Sequence, residues 1–166
     1  MEHISFTAGI PSKCIEESMV GKAHEAEIDW FKHFNTERNE HSGLMFLGST
    51  DVLTRMQSLC GALVRNFIDA RLVTLGSLVP MKDGGGAAAA SAQEPTVLLI
   101  PNLHVKTHGG KPLTAWQIQI LYDALLSRMT VGKQTVVFVE SLEGLGNDYG
   151  ILFKELLTAN YKQIKG

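Results

Sequence analysis

Three apolar segments constrain this chain more than anything else in it: Leu44-Met45-Phe46-Leu47-Gly48, Thr96-Val97-Leu98-Leu99-Ile100 and Thr135-Val136-Val137-Phe138-Val139. Each is followed by a turn and then, directly or after a short loop, by a helical stretch. The runs are continuously apolar rather than alternating, as expected of central strands covered on both faces. Strands alternating with helices specify a parallel α/β sheet. Hydrophobic residues make up 45% of the 166 and charged residues 19%, which excludes a disordered chain. The length suits one domain spanning 1–166.

The remaining elements follow from spacing. Residues 1–22 read as irregular, because Gly9-Ile10-Pro11 interrupts any helix. His24 to Phe34 reads as an amphipathic helix with Ile28, Phe31 and Phe34 on its apolar side and Glu25, Glu27 and Asp29 between them, and 35–42 as a polar connection. Val52 to Asp69 is a long helical pattern, with Met56, Leu59, Cys60, Leu63 and Phe67 three and four apart. Arg71 to Val79 reads as a second strand ending at Pro80. Residues 82–94 hold Gly84-Gly85-Gly86 and an alanine run, which implies a flexible loop. Residues 102–112 read as a loop. Leu113 to Met129 is a helix with Thr114 as N-cap and Gly132 as terminator. Gly150 to Ala159 is the last helix, Asp148 and Tyr149 begin a helix, and Tyr161–Lys165 adds an edge strand.

The first strand, with its turn and helix, has the layout of a phosphate-binding loop, whose working form is Gly-x-x-x-x-Gly-Lys-Ser/Thr. Here the run is Gly48-Ser49-Thr50-Asp51-Val52-Leu53-Thr54-Arg55. Leu53 replaces the second glycine, Thr54 the lysine that would contact the phosphates, and Arg55 the hydroxyl residue that would bind magnesium. Asp51 adds a carboxylate that repels phosphate.

The order of these pieces resembles the AAA+ domain of bacterial helicase loaders and transposition helper proteins, the DnaC/IstB group. The resemblance rests on Ala8-Gly9-Ile10-Pro11-Ser12-Lys13 near the start and on the first strand Gly43 to Gly48. It continues in Leu121 to Val137, with Ser127-Arg128 ahead of Gly132-Lys133-Gln134-Thr135, and in the ending Tyr161 to Gly166. It implies a P-loop NTPase-like three-layer sandwich of about five mostly parallel strands, without a C-terminal lid, and a setting in DNA replication, recombination or repair. It also implies sites that this chain lacks. Pro101 and Asn102 stand where the family carries paired acids, Val139 and Glu140 where a polar sensor stands, and Lys154 where an arginine reaches a neighbour's phosphate. Phosphoryl transfer depends on positioned cations and metal. The expectation is therefore a pseudo-ATPase with no catalytic residue, no nucleotide and no cofactor, which binds an active ATPase, helicase or recombination factor in a hetero-oligomer. A degenerate RecA-like recombinase paralogue scaffolding a repair complex is the alternative of the same class; a residual nucleotide-dependent enzyme is the alternative of another.

Other residues carry smaller expectations. Net charge is −2, so no global field attracts nucleic acid. Lys106, His108 and Lys111, in one loop, are candidate phosphate contacts, and Arg55, Arg65 and Lys82 could join them in a patch, for weak DNA binding at most. His104 and His108 are four apart, but glycines and a proline make the segment a solvated loop rather than a metal site. Glu140 and Glu143 flank Ser141 as a polar sheet edge. Trp116 reads as half-buried core and Cys60 as a packing residue. Two cysteines without ligand spacing, no leader and no apolar run of about 18 residues point to a cytoplasmic protein, nuclear in a eukaryote.

Overall fold

The computed structural model describes residues 2–79, 93–106 and 112–166. Among them run α1 (Glu2–Ala8), α2 (Ser12–Glu16), α3 (Glu25–Lys32), α4 (Phe34–Glu40), β1 (Gly43–Leu47), α5 (Val52–Arg65), β2 (Ala70–Leu72), α6 (Leu75–Leu78), β3 (Val97–His104), α7 (Ala115–Thr130), β4 (Gln134–Val139), α8 (Leu142–Tyr149), α9 (Ile151–Asn160) and β5 (Tyr161–Lys165). The sheet order is β2-β3-β4-β1-β5, and every described pairing is parallel.

The alternation of side chains along each strand divides the core in two. Leu44, Phe46, Val97, Leu99 and Val136 pack with α2, α3 and α5 on one face. Met45, Leu98, Ile100, Val137 and Val139 pack with α7, α8 and α9 on the other. This is the expected three-layer α/β arrangement, with about five strands and helices on both faces. It also explains why the central strands lack polar alternation.

Several elements differ from the sequence reading. Residues 1–22 are not irregular: Gly9, at φ +72°, ends α1, and Pro11 precedes α2, so the breakers separate two short helices. The backbones touch closely here. A Cβ on Gly61 would lie 1.8 Å from the Cys14 carbonyl oxygen, so only glycine lets α2 rest on α5. The polar connection 35–42 is mostly α4, which buries only Phe34 and therefore carries no apolar periodicity. The long helix ends at Arg65, four residues early. Asn66 caps it, and Phe67 turns left-handed at φ +61° and stands 98% exposed.

The strand expected over 71–79 is only Ala70–Leu72; α6 replaces the rest. Its first amide, on Leu75, donates to Asn102 Oδ1 at 2.8 Å, a tertiary cap invisible in local spacing. Conversely, β3 runs on to His104, through the start of the expected loop 102–112. Pro101 has no N–H for the ladder, and the register shifts between Ile100 and His104. Asp148 and Tyr149 end a helix rather than begin one. Ser141 Oγ accepts the Gly144 N–H at 3.0 Å to start α8, and Gly150, at φ +98°, terminates it. The Thr114 cap of α7 is present as a full capping box with Gln117. The loop expected over 82–94 lies outside the described residues except Gln93 and Glu94. Lys133 donates to both of their carbonyl oxygens, and Glu94 pairs with Arg71.

Candidate functional site

In open α/β sheets ligands bind beyond the carboxyl ends of the strands, where connections diverge. Here β1 leads to β2, at the far edge of the sheet, while β4 leads to β5, on the other side of β1. The β1–α5 turn, Gly48 to Asp51, sits at that divergence. Gly48 takes φ +59° and donates its N–H to the Val139 carbonyl at 3.0 Å, which fixes the turn against β4. Asp51 takes φ +51°, a conformation uncommon outside glycine, as the N-cap of α5. Its side chain makes no cap hydrogen bond. Asp51, Leu53 and Thr54 are exposed. The first turn of α5 therefore shows solvent a carboxylate, a leucine and a hydroxyl where phosphate binding needs glycine and lysine.

Arg55 points the other way. It is 1% exposed and forms a two-bonded pair with fully buried Glu27 of α3: Nε to Oε1 at 2.7 Å and an Nη nitrogen to Oε2 at 2.9 Å. Its other Nη donates to the Gly166 carbonyl at 2.7 Å and to the Thr50 carbonyl at 3.2 Å, and the guanidinium lies 4.9 Å from the centre of the Phe46 ring. One side chain thus ties α3, the β1–α5 turn and the segment after β5 together. The His24 N–H also donates to Glu27 Oε1, at 2.7 Å. Burial alone would raise the Glu27 pKa. The hydrogen bonds from Arg55 and from backbone N–H groups outweigh it and hold the carboxyl below its ordinary value.

Arg55 is not available to a surface patch, and Glu27 does not lie on a polar helix face. Arg65 is committed as well, since it donates to the Ile15 and Glu17 carbonyls at 2.6 and 2.5 Å. Thr54 lines a cavity of about 150 Å³ with Lys13, Glu17, Lys22 and Ser58, in which Lys22 already pairs with Glu17. Ligand pockets usually begin at about 300 Å³.

The neighbouring strand ends are likewise stitched internally. Asn102 is used by α6. The Glu140 N–H donates to the His104 carbonyl at 3.1 Å, and the Glu140 carboxylate accepts the Lys106 N–H at 2.6 Å. His104 is not in a solvated loop. It is 3% exposed, its Nε2 lies 2.7 Å from Asp148 Oδ2, and its ring meets Tyr149 edge-on at 5.1 Å. Tyr149 donates to the Leu103 carbonyl at 2.6 Å; burial first, then Asp148, pushes its pKa up to about 12. This cluster clamps α8 to β3. Lys106 is exposed, and His108, Lys111 and Lys82 lie outside the described residues.

Elsewhere, Trp116 on α7 is half-buried as expected, at 47% exposed, but it belongs to neither core cluster. Cys60 is buried packing, its thiol pushed up to about 12 by burial. Arg128 is fully buried and donates to Thr135 Oγ1 and to the Pro95 and Gln134 carbonyls, joining α7 to the starts of β3 and β4. Sequence reasoning missed the Glu27–Arg55 pair, although two signals were present. Glu27 stands three residues after His24, the capping-box spacing, and Arg55 stands four residues before Leu59, on the apolar stripe of α5.

No helix among the described residues is long and apolar enough to cross a membrane. No protein-family model and no curated protein matches the sequence. Among solved structures, one described as the crystal structure of the DnaI aligns with a TM-score of 0.70 over 94% of this chain and 94% of that one, at 13% identity. At that identity the likeness is one of fold, and the fold it shows is the P-loop NTPase-like α/β sandwich with a five-stranded parallel sheet.

Proposed function

We propose that this chain is a non-catalytic partner of an active AAA+ or RecA-like ATPase or helicase in DNA replication, recombination or repair. The observation that carries the reading is the lock at the β1–α5 turn. The residue at the magnesium-hydroxyl position, Arg55, is turned inward and consumed by Glu27, Thr50 and Gly166, while Asp51 and Leu53 face solvent at the turn. Opening that arrangement for a nucleotide would break a buried charge pair, which costs several kcal/mol. The turn is tied by contacts within the chain, from Gly48 N–H to the Val139 carbonyl and from Arg55 to the Thr50 carbonyl. The fold shared with the DnaI structure, together with the sequence resemblance to the DnaC/IstB group, supports the helicase-loader setting. AAA+ domains of that kind pack side by side, so a hetero-oligomer with a catalytic subunit follows. DNA contact is secondary, because two of the cations that could have joined a patch, Arg55 and Arg65, are committed inside the protein, and Lys106 alone of that set is exposed among the described residues.

A tagged chain recovered from its host should retain a larger ATPase or recombination factor at about 150 mM salt. The purified chain alone should bind single-stranded DNA poorly under the same conditions. Recovery of the chain by itself, with tight and salt-resistant DNA binding, would make it a nucleic-acid module instead.

A further inference from the structure

We propose that Glu37, Glu40 and His41, at the C-terminal turn of α4, form a zinc site. Each offers one ligand atom, and the three atoms lie within 4.8 Å of one another. Glu37 and His41 are one helical turn apart, so their side chains share a face. Glu37 Oε2 stands 3.4 Å from His41 Nδ1. Both atoms are closed to solvent, yet neither makes a hydrogen bond among the described residues. Their separation is long for a hydrogen bond, but two atoms each bonded at about 2.1 Å to a tetrahedral zinc stand about 3.4 Å apart. Glu40 is exposed and free to swing in as the third ligand, which leaves the fourth position to water.

Lys162 donates to the other Glu37 oxygen, Oε1, at 2.5 Å and so fixes which oxygen faces His41. Gln134 Nε2 donates to the His41 carbonyl at 2.9 Å and holds the turn in place. Such outer partners orient metal ligands. The negative end of the α4 dipole adds attraction. Imidazole with two carboxylates selects zinc over magnesium, which prefers an all-oxygen shell. The site lies away from the β1–α5 turn and does not depend on how that turn is read.

The test is titration of the purified full chain with zinc chloride against a chromophoric chelator. One equivalent should bind with micromolar or tighter affinity, undisturbed by millimolar magnesium. His41→Ala and Glu40→Gln should each weaken binding at least tenfold, while His33→Ala should leave it unchanged. Glu40 is exposed, so its substitution reads ligation rather than folding, and thermal melts without zinc check His41→Ala. No binding at micromolar zinc, or equal affinity in the wild type and both variants, overturns the site and leaves Glu37, His41 and Lys162 as an ion-pair network.

Discussion

Glu27→Ala is expected to destabilise the protein by about 3–5 kcal/mol, read from urea denaturation, because it leaves the buried Arg55 guanidinium without its counter-charge. The size follows from the asymmetry between breaking a buried pair and replacing it. Removing one partner strands a charge that is 1% exposed, with the two carbonyls of Thr50 and Gly166 as its remaining oxygen partners. Replacing both, as in Glu27→Leu with Arg55→Met, should cost far less than Glu27→Ala alone, since shape is kept and no charge remains. The pair also sets an acid limb. The folded-state pKa of Glu27 lies below its ordinary 4.5. Its contribution is therefore complete above about pH 4.5 and is lost as pH falls through the folded value. Glu37 shifts in the same direction: the hydrogen bond and charge of Lys162, with the charge of nearby His41, outweigh burial. Glu27→Gln should thus shrink the acid limb without abolishing it. A loss below about 1 kcal/mol for Glu27→Ala would show that Arg55 finds solvent or other partners at no cost.

Trp30→Ala should cost a comparable amount, about 3–5 kcal/mol, by deleting a large buried side chain and leaving a cavity. Trp30 is completely buried on α3 and meets Phe34 edge-on at 5.3 Å. Its indole nitrogen has no hydrogen-bond partner among the described residues. Trp30→Phe removes that unpaired donor while keeping an aromatic ring, so it should retain most of the stability. If Phe proves as damaging as Ala under equilibrium denaturation, the indole N–H has a partner that matters.

The parts of this fold that could be read from the sequence are those where burial on both faces overrides everything local. β1, the Val97–Ile100 half of β3 and the Val136–Val139 part of β4 are continuously apolar, and α5 and α7 carry apolar stripes. What escaped detection depends on contacts distant in sequence. α4 buries a single phenylalanine, α6 borrows its cap from Asn102 in another strand, and Pro101 is tolerated because the strand bulges there. The departure of Gly48 to Arg55 from the Gly-x-x-x-x-Gly-Lys-Ser/Thr pattern is legible by motif alone. What stands in that pattern's place is not, because Glu27 and Arg55 are 28 residues apart and each reads as an ordinary surface charge. Their pairing becomes visible only when α3 is laid across α5.

On the reading proposed above, the β1–α5 turn takes no nucleotide. Calorimetric titration of the purified chain with magnesium-ATP tests it most directly. The arrangement of Arg55, Asp51, Leu53 and Thr54 predicts no saturable heat up to millimolar nucleotide, for ADP as for ATP. A saturable isotherm with a micromolar dissociation constant would contradict it and return the chain to the nucleotide-dependent enzymes.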